Sequence, residues 1–109
     1  MSSILERLAI ILEQRKTADP THSYVAKLYA QGLDAILKKV AEETAEVLLA
    51  AKDGDSKHLQ EEVADLWFHC LVLLAQQGLK PEMVLMELER RFGHSGLKDP
   101  SKKTQVPKK

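Results

Sequence analysis

Apolar residues recur along this chain at intervals of three and four, and no segment shows the period-two alternation of β-branched residues that a half-buried strand needs, so the pattern predicts an all-α protein. Ile4, Leu5, Leu8, Ile11 and Leu12 share one helical face behind Ser3-Ile4-Leu5-Glu6, which has the form of a capping box. A first helix is predicted from about Ile4 to Lys16. The turn-rich TADPTHS follows, and Ser23 then caps a short helix, YVAKLYAQ, that Gly32 ends at a left-handed position. Asp34 is the predicted cap of the next helix, which carries Ile36, Leu37, Val40, Ala41, Val47, Leu48 and Ala51 and stops at Asp53-Gly54. Ser56 opens another long helix with Leu59, Val63, Leu66, Trp67, Cys70, Leu71 and Leu74 on its apolar side, and Gly78 stops it. Pro81 suits the first position of a last helix, for which Met83, Val84, Met86, Leu88 and Phe92 form the predicted buried face.

Only a few residues around DGDS join the two long helices, which predicts an antiparallel hairpin at the centre of a helical bundle. That hairpin sets two acidic groups opposite one another: Glu42, Glu43 and Glu46 in KKVAEETAEV, and Glu61, Glu62 and Asp65 in QEEVADLWFHC. Residues three apart on a helix are neighbours, so Glu43 with Glu46, and Glu62 with Asp65, are close like-charge pairs that destabilise an isolated helix. A bound cation removes that repulsion. Carboxylates without cysteine or paired histidine ligands suit a hard divalent ion such as Mg²⁺ or Mn²⁺, and four acids suit phosphate-bond cleavage. Solvated acidic faces balanced by Lys38, Lys39, Lys52 and Lys57 are the competing account, and spacing alone leaves both open. A di-iron site needs Glu-x-x-His, which does not occur, and DGDSKHLQEE lacks the ligands and the glycine of a calcium loop. Neither a glycine-rich phosphate loop nor a nucleophile–histidine pattern is present.

With 109 residues, 44% of them hydrophobic, the chain is predicted to fold as one domain over residues 1–95 with a modest core. Lysine plus arginine and aspartate plus glutamate number 16 each, which argues against nucleic acid or a membrane surface as partner. From residue 96 to 109 the composition shifts to a basic, polar tail rich in lysine. The single cysteine, Cys70, has no internal disulfide partner and fits a reducing cytoplasm. Glu6 and Arg7 interrupt the opening segment as a signal peptide, and the uncharged run Leu66 to Leu79 is too short to span a bilayer.

Glu43-x-x-Glu46, a spacer, then Glu62-x-x-Asp65 resembles the signature of the all-α, MazG-like nucleoside triphosphate pyrophosphohydrolases. The SYVAKL, KKVAEETAEV and ADLWFH stretches, with RRFGHSG near the end, narrow the resemblance to the phosphoribosyl-ATP pyrophosphohydrolases of histidine biosynthesis, over about residues 3 to 97. The resemblance implies Mg²⁺-dependent hydrolysis of phosphoribosyl-ATP to phosphoribosyl-AMP and pyrophosphate. Under it, Glu43, Glu46, Glu62 and Asp65 are metal ligands and catalytic residues, and Glu42 is an outer acid or a further ligand. Lys39 and Lys27 are candidate triphosphate contacts, Tyr24 a candidate base contact, and His69 a hydrogen-bond partner for a ligand carboxylate or a core histidine. Ser95 and Gly96 are the last residues considered for substrate contact. A house-cleaning nucleotide pyrophosphohydrolase with the same metal chemistry is the nearest rival, and a helical module docking a basic partner is a non-enzymatic one. Two helices of one chain make an incomplete nucleotide groove, and the first and last helices have apolar faces to bury, so a homodimer is expected.

Overall fold

In the computed structural model, which describes residues 2–93, strong helix formers and turn residues divide the chain into five α-helices. They are α1 (Ser2–Gln14), α2 (Tyr24–Gln31), α3 (Leu33–Asp53), α4 (Ser56–Gln76) and α5 (Pro81–Gly93), with a 3-10 turn at Arg15–Thr17 after α1. The all-α class and the helical hairpin expected from the sequence are both present, and α3 and α4 form the most extensive helix pair among the described residues. α2 packs on α3 and on the 3-10 turn, while α1 packs on α4 and α5.

The helix ends follow local chemistry. Ser23 caps α2 as predicted: its Oγ accepts from the Ala26 N–H at 3.1 Å. Gly32 does end α2, but at φ 100°, ψ −179° it is an extended positive-φ residue rather than a left-handed helical one. The same glycine is the N-cap of α3, so Asp34 lies inside the first turn and is not the cap. There its charge still complements the positive end of the helix. α4 opens at Ser56 as predicted, and Asp55 caps it by accepting the His58 N–H on Oδ1 at 3.0 Å. α1 begins at Ser2, ahead of the start predicted at about Ile4, and the capping box anchored on the Ser3 side chain lies outside the described residues.

Leu12, Val25, Leu28, Ile36, Val72 and Ala75 make the core, where α1, α2, α3 and α4 meet, with Leu8, Tyr29, Phe68, Leu71 and Leu73 packed around them. The Tyr29 hydroxyl donates to the Leu12 carbonyl at 3.0 Å and ties α2 to the end of α1. Away from this knot the apolar faces are not covered. Leu48, Leu49 and Trp67 on the hairpin are 63%, 60% and 62% exposed. Met83, Val84, Met86, Leu88 and Phe92 of α5 are exposed too, which corrects the buried face predicted for that helix. The described helices are too few to cover both sides of a two-helix hairpin and the outer side of α5. Among the described residues no helix is long and apolar enough to cross a membrane. The tail expected from residue 96, and Ser95 and Gly96, lie outside the described residues.

Candidate metal centre

Gly54, at φ 75°, and the capping Asp55 make the whole connection between α3 and α4, so the two helices run back along each other from a tight turn. The turn brings Glu43 of α3 against Glu62 and Asp65 of α4. One carboxylate oxygen from each lies within 4.8 Å of the others. Glu43 and Glu62 are mostly shielded, with side chains 13% and 16% exposed, while Asp65 opens to solvent. Three hard oxygen donors converging in a half-screened cleft attract a hard divalent cation, and the donor set fits Mg²⁺ or Mn²⁺ rather than a thiophilic metal.

Two basic side chains already stand at this cluster. The Lys39 ammonium stands 3.5 Å from Glu42 Oε1 and 3.6 Å from Glu43 Oε2, at the three- and four-residue spacings of one helix face. His58 Nε2 is 3.0 Å from Glu62 Oε2 across one turn of α4. Burial pulls the Lys39 pKa down, but Tyr24, Glu42 and Glu43 together outweigh it and hold the ammonium above the ordinary lysine value. The Tyr24 hydroxyl is pushed up by burial, with Lys39 pulling against it and Glu43 and Glu42 adding to it.

The other residues singled out from the sequence fall into distinct places. Glu46 is exposed on α3 and is not among the three acids that converge; Glu42 is exposed and paired with Lys39. Lys27 is exposed on α2. His69 is 5% exposed, in line with the core-histidine reading, and its Nδ1 bonds the main-chain oxygen of Asp65 at 2.8 Å rather than a ligand carboxylate. A helical side chain leans toward the N-terminus, which brings the ring within reach of the carbonyl four residues back. Tyr24 meets that ring through its hydroxyl, 2.7 Å from Nε2, so its polar end is engaged in the cleft. His58 is the residue that sequence reasoning passed over. Its signal was the four-residue step to Glu62, hidden because the segment drew attention only as an unlikely calcium loop.

A groove of about 740 Å³ opens elsewhere, between α1 and the junction of α4 with α5, lined by Glu6, Glu13, Lys16, Leu71, Lys80 and Glu82. It holds none of the converging acids.

The family model for phosphoribosyl-ATP pyrophosphohydrolase matches residues 5–92, which span all three acids and the lysine and histidine beside them. A phosphoribosyl-ATP pyrophosphatase of Methylococcus capsulatus is 64% identical over 96 residues, covering 88% of this chain and 91% of that protein. A protein of the same description from Nitrosospira multiformis is 65% identical over 94 residues, 86% of this chain and 78% of its own length. One from Nitrosomonas eutropha is 51% identical over 104 residues, 95% of this chain and 89% of its own length. With a hairpin that joins the two halves of the acidic signature, and with relatives this similar over nearly all of the chain, the protein belongs to the phosphoribosyl-ATP pyrophosphohydrolase family.

Proposed function

We propose that the protein hydrolyses the α–β phosphoanhydride of phosphoribosyl-ATP, giving phosphoribosyl-AMP and pyrophosphate in the second step of histidine biosynthesis. The observation that carries this reading is the convergence of Glu43, Glu62 and Asp65 across the hairpin in a chain so similar to phosphoribosyl-ATP pyrophosphatases. These three acids are the proposed ligands of Mg²⁺, with Mn²⁺ a substitute, and Glu46 and Glu42 are proposed to complete the acidic surface around them. A divalent cation held there neutralises phosphate oxygens and makes a bound water more acidic.

The chain's own groups do the rest. His58 Nε2, 3.0 Å from Glu62 Oε2, holds that carboxylate in place. Lys39 carries positive charge at the rim of the cleft, where a phosphate group of the substrate lies under this reading, and Lys27 offers a second cation from α2. A carboxylate of the cluster orients the attacking water and takes its proton; as the water oxygen bonds to phosphorus, the bridging P–O bond breaks and pyrophosphate leaves with that electron pair. The exposed apolar surface of the hairpin and α5 supports a homodimer whose partner completes the nucleotide site. A biosynthetic role of this kind places the protein in the cytoplasm.

The direct test is a metal-titrated assay with phosphoribosyl-ATP that follows pyrophosphate and the monophosphate product together. Glu43→Gln and Glu62→Gln are each expected to lower kcat by about a hundredfold or more while circular dichroism stays helical. Calorimetric titration should show that both changes weaken Mg²⁺ binding. Retained turnover in both variants overturns the site, and faster turnover of dUTP or dCTP than of phosphoribosyl-ATP would favour a house-cleaning role.

A further inference from the structure

Glu43 has two calls on its charge. It is one of the three acids that converge across the hairpin, and its Oε2 is also 3.6 Å from the Lys39 ammonium. The same ammonium stands 3.5 Å from Oε1 of Glu42, which is not one of the converging acids. Positions three and four beyond a helical residue are both its neighbours, so Lys39 reaches either glutamate from one backbone position. Both distances exceed the about 2.8 Å of a close charge-assisted hydrogen bond, so the ammonium is shared between two carboxylates rather than locked on one.

The two acceptors differ in their surroundings. The Glu43 side chain is 13% exposed and lies with Glu62 and Asp65, whereas that of Glu42 is 49% exposed. Like charges crowded in a half-shielded cleft are weakly screened, so Glu43 gains more from a counter-charge than Glu42 does. A divalent cation on the three acids supplies that counter-charge and repels the ammonium, since both then bear on one carboxylate. We infer that Lys39 changes partner as the site loads: it neutralises Glu43 until the divalent cation takes the acidic cluster, then gives up Glu43, stays with Glu42 and turns its charge to the substrate's phosphates. Glu42 is then a positioning residue that acts through Lys39, and only a side-chain rotation separates the two arrangements. The inference rests on the reading of Glu43, Glu62 and Asp65 as the metal site and of Lys39 as a phosphate contact. Exchange of this kind makes Lys39 oppose metal binding and favour nucleotide binding.

The first test is Mn²⁺ binding without nucleotide, read from the electron paramagnetic resonance of the free ion. Lys39→Met removes the charge from a side chain of similar length and should lower the Mn²⁺ dissociation constant by about fivefold. Lys38→Met removes the same charge from an exposed side chain one residue earlier and should change the constant by less than about twofold. Glu42→Gln alone should raise it by about threefold, because the ammonium then has only Glu43 to hold, but by less than about 1.5-fold in the Lys39→Met background. An unchanged constant in Lys39→Met, an equal gain in Lys38→Met, or the same loss from Glu42→Gln in both backgrounds overturns the inference. Absence of saturable Mn²⁺ binding by the unaltered protein overturns the metal site and the inference together.

Steady-state kinetics at saturating metal give the other half. There Lys39→Met should raise KM for phosphoribosyl-ATP by about fivefold or more. A side chain that merely supports the fold moves both constants toward weaker binding, so opposite signs in one variant mark the exchange, and a KM that does not rise overturns it. The metal titration uses no nucleotide, and turnover by the unaltered protein separately tests the assigned reaction, so the two readings fail independently.

Discussion

Gly32 joins α2 to α3 with no linker, ending one helix and capping the next at φ 100°, ψ −179°. An added Cβ there meets nothing within 4 Å, so substitution is opposed by the backbone alone. Gly32→Ala is expected to lower the unfolding free energy by about 1–3 kcal/mol, read from the midpoint of urea denaturation. Of the residues that form the cleft, the acids were legible in the sequence because their spacing alone places them on facing helices. The bond from Tyr24 to His69 was not legible, since it spans 45 residues and depends on how α2 lies across α4. The partner of His69 was illegible for another reason: spacing put the ring near Asp65 but could not choose between carboxylate and carbonyl.

Among the elements, helix boundaries from α2 onward follow glycine, proline and capping signals that operate over a few residues, which is why α2 and the stops of α3 and α4 could be placed from sequence. Burial could not be placed in that way. An apolar stripe states which face prefers to be covered, not whether an element is available to cover it. Ile36 and Leu48 lie on the same helix and both read as core, yet Ile36 is 0% exposed and Leu48 63%. Ile36→Ala should therefore cost about 2–5 kcal/mol of stability, a cavity cost with little relaxation to offset it. Leu48→Ala, measured at a protein concentration low enough to keep the chain monomeric, should change the melting temperature little, and thermal denaturation of the two variants side by side checks the contrast.

For the molecule as a whole, the exposed apolar residues define what a second copy would cover. Leu48 and Leu49 on α3 and Trp67 on α4 leave apolar surface open on both helices of the hairpin, and large exposed apolar patches on a small chain mark an interaction surface. A dimer is expected at micromolar concentration in sedimentation, and Leu48→Lys should shift it toward monomer. Trp67 is the only tryptophan, so its emission should move to the blue as the unaltered protein associates and stay red-shifted in the variant. The two-residue turn at Gly54-Asp55 has a consequence of another kind. Loop closure over so short a connection costs little entropy, and contacts local in sequence form early in folding. Glu43, Glu62 and Asp65 all lie within fewer than two dozen residues of chain, so the helices that carry them can pair before α1 and α5 dock. The chemistry is thus encoded in a local segment of low contact order, and the rest of the sequence has the separate task of holding that segment in register.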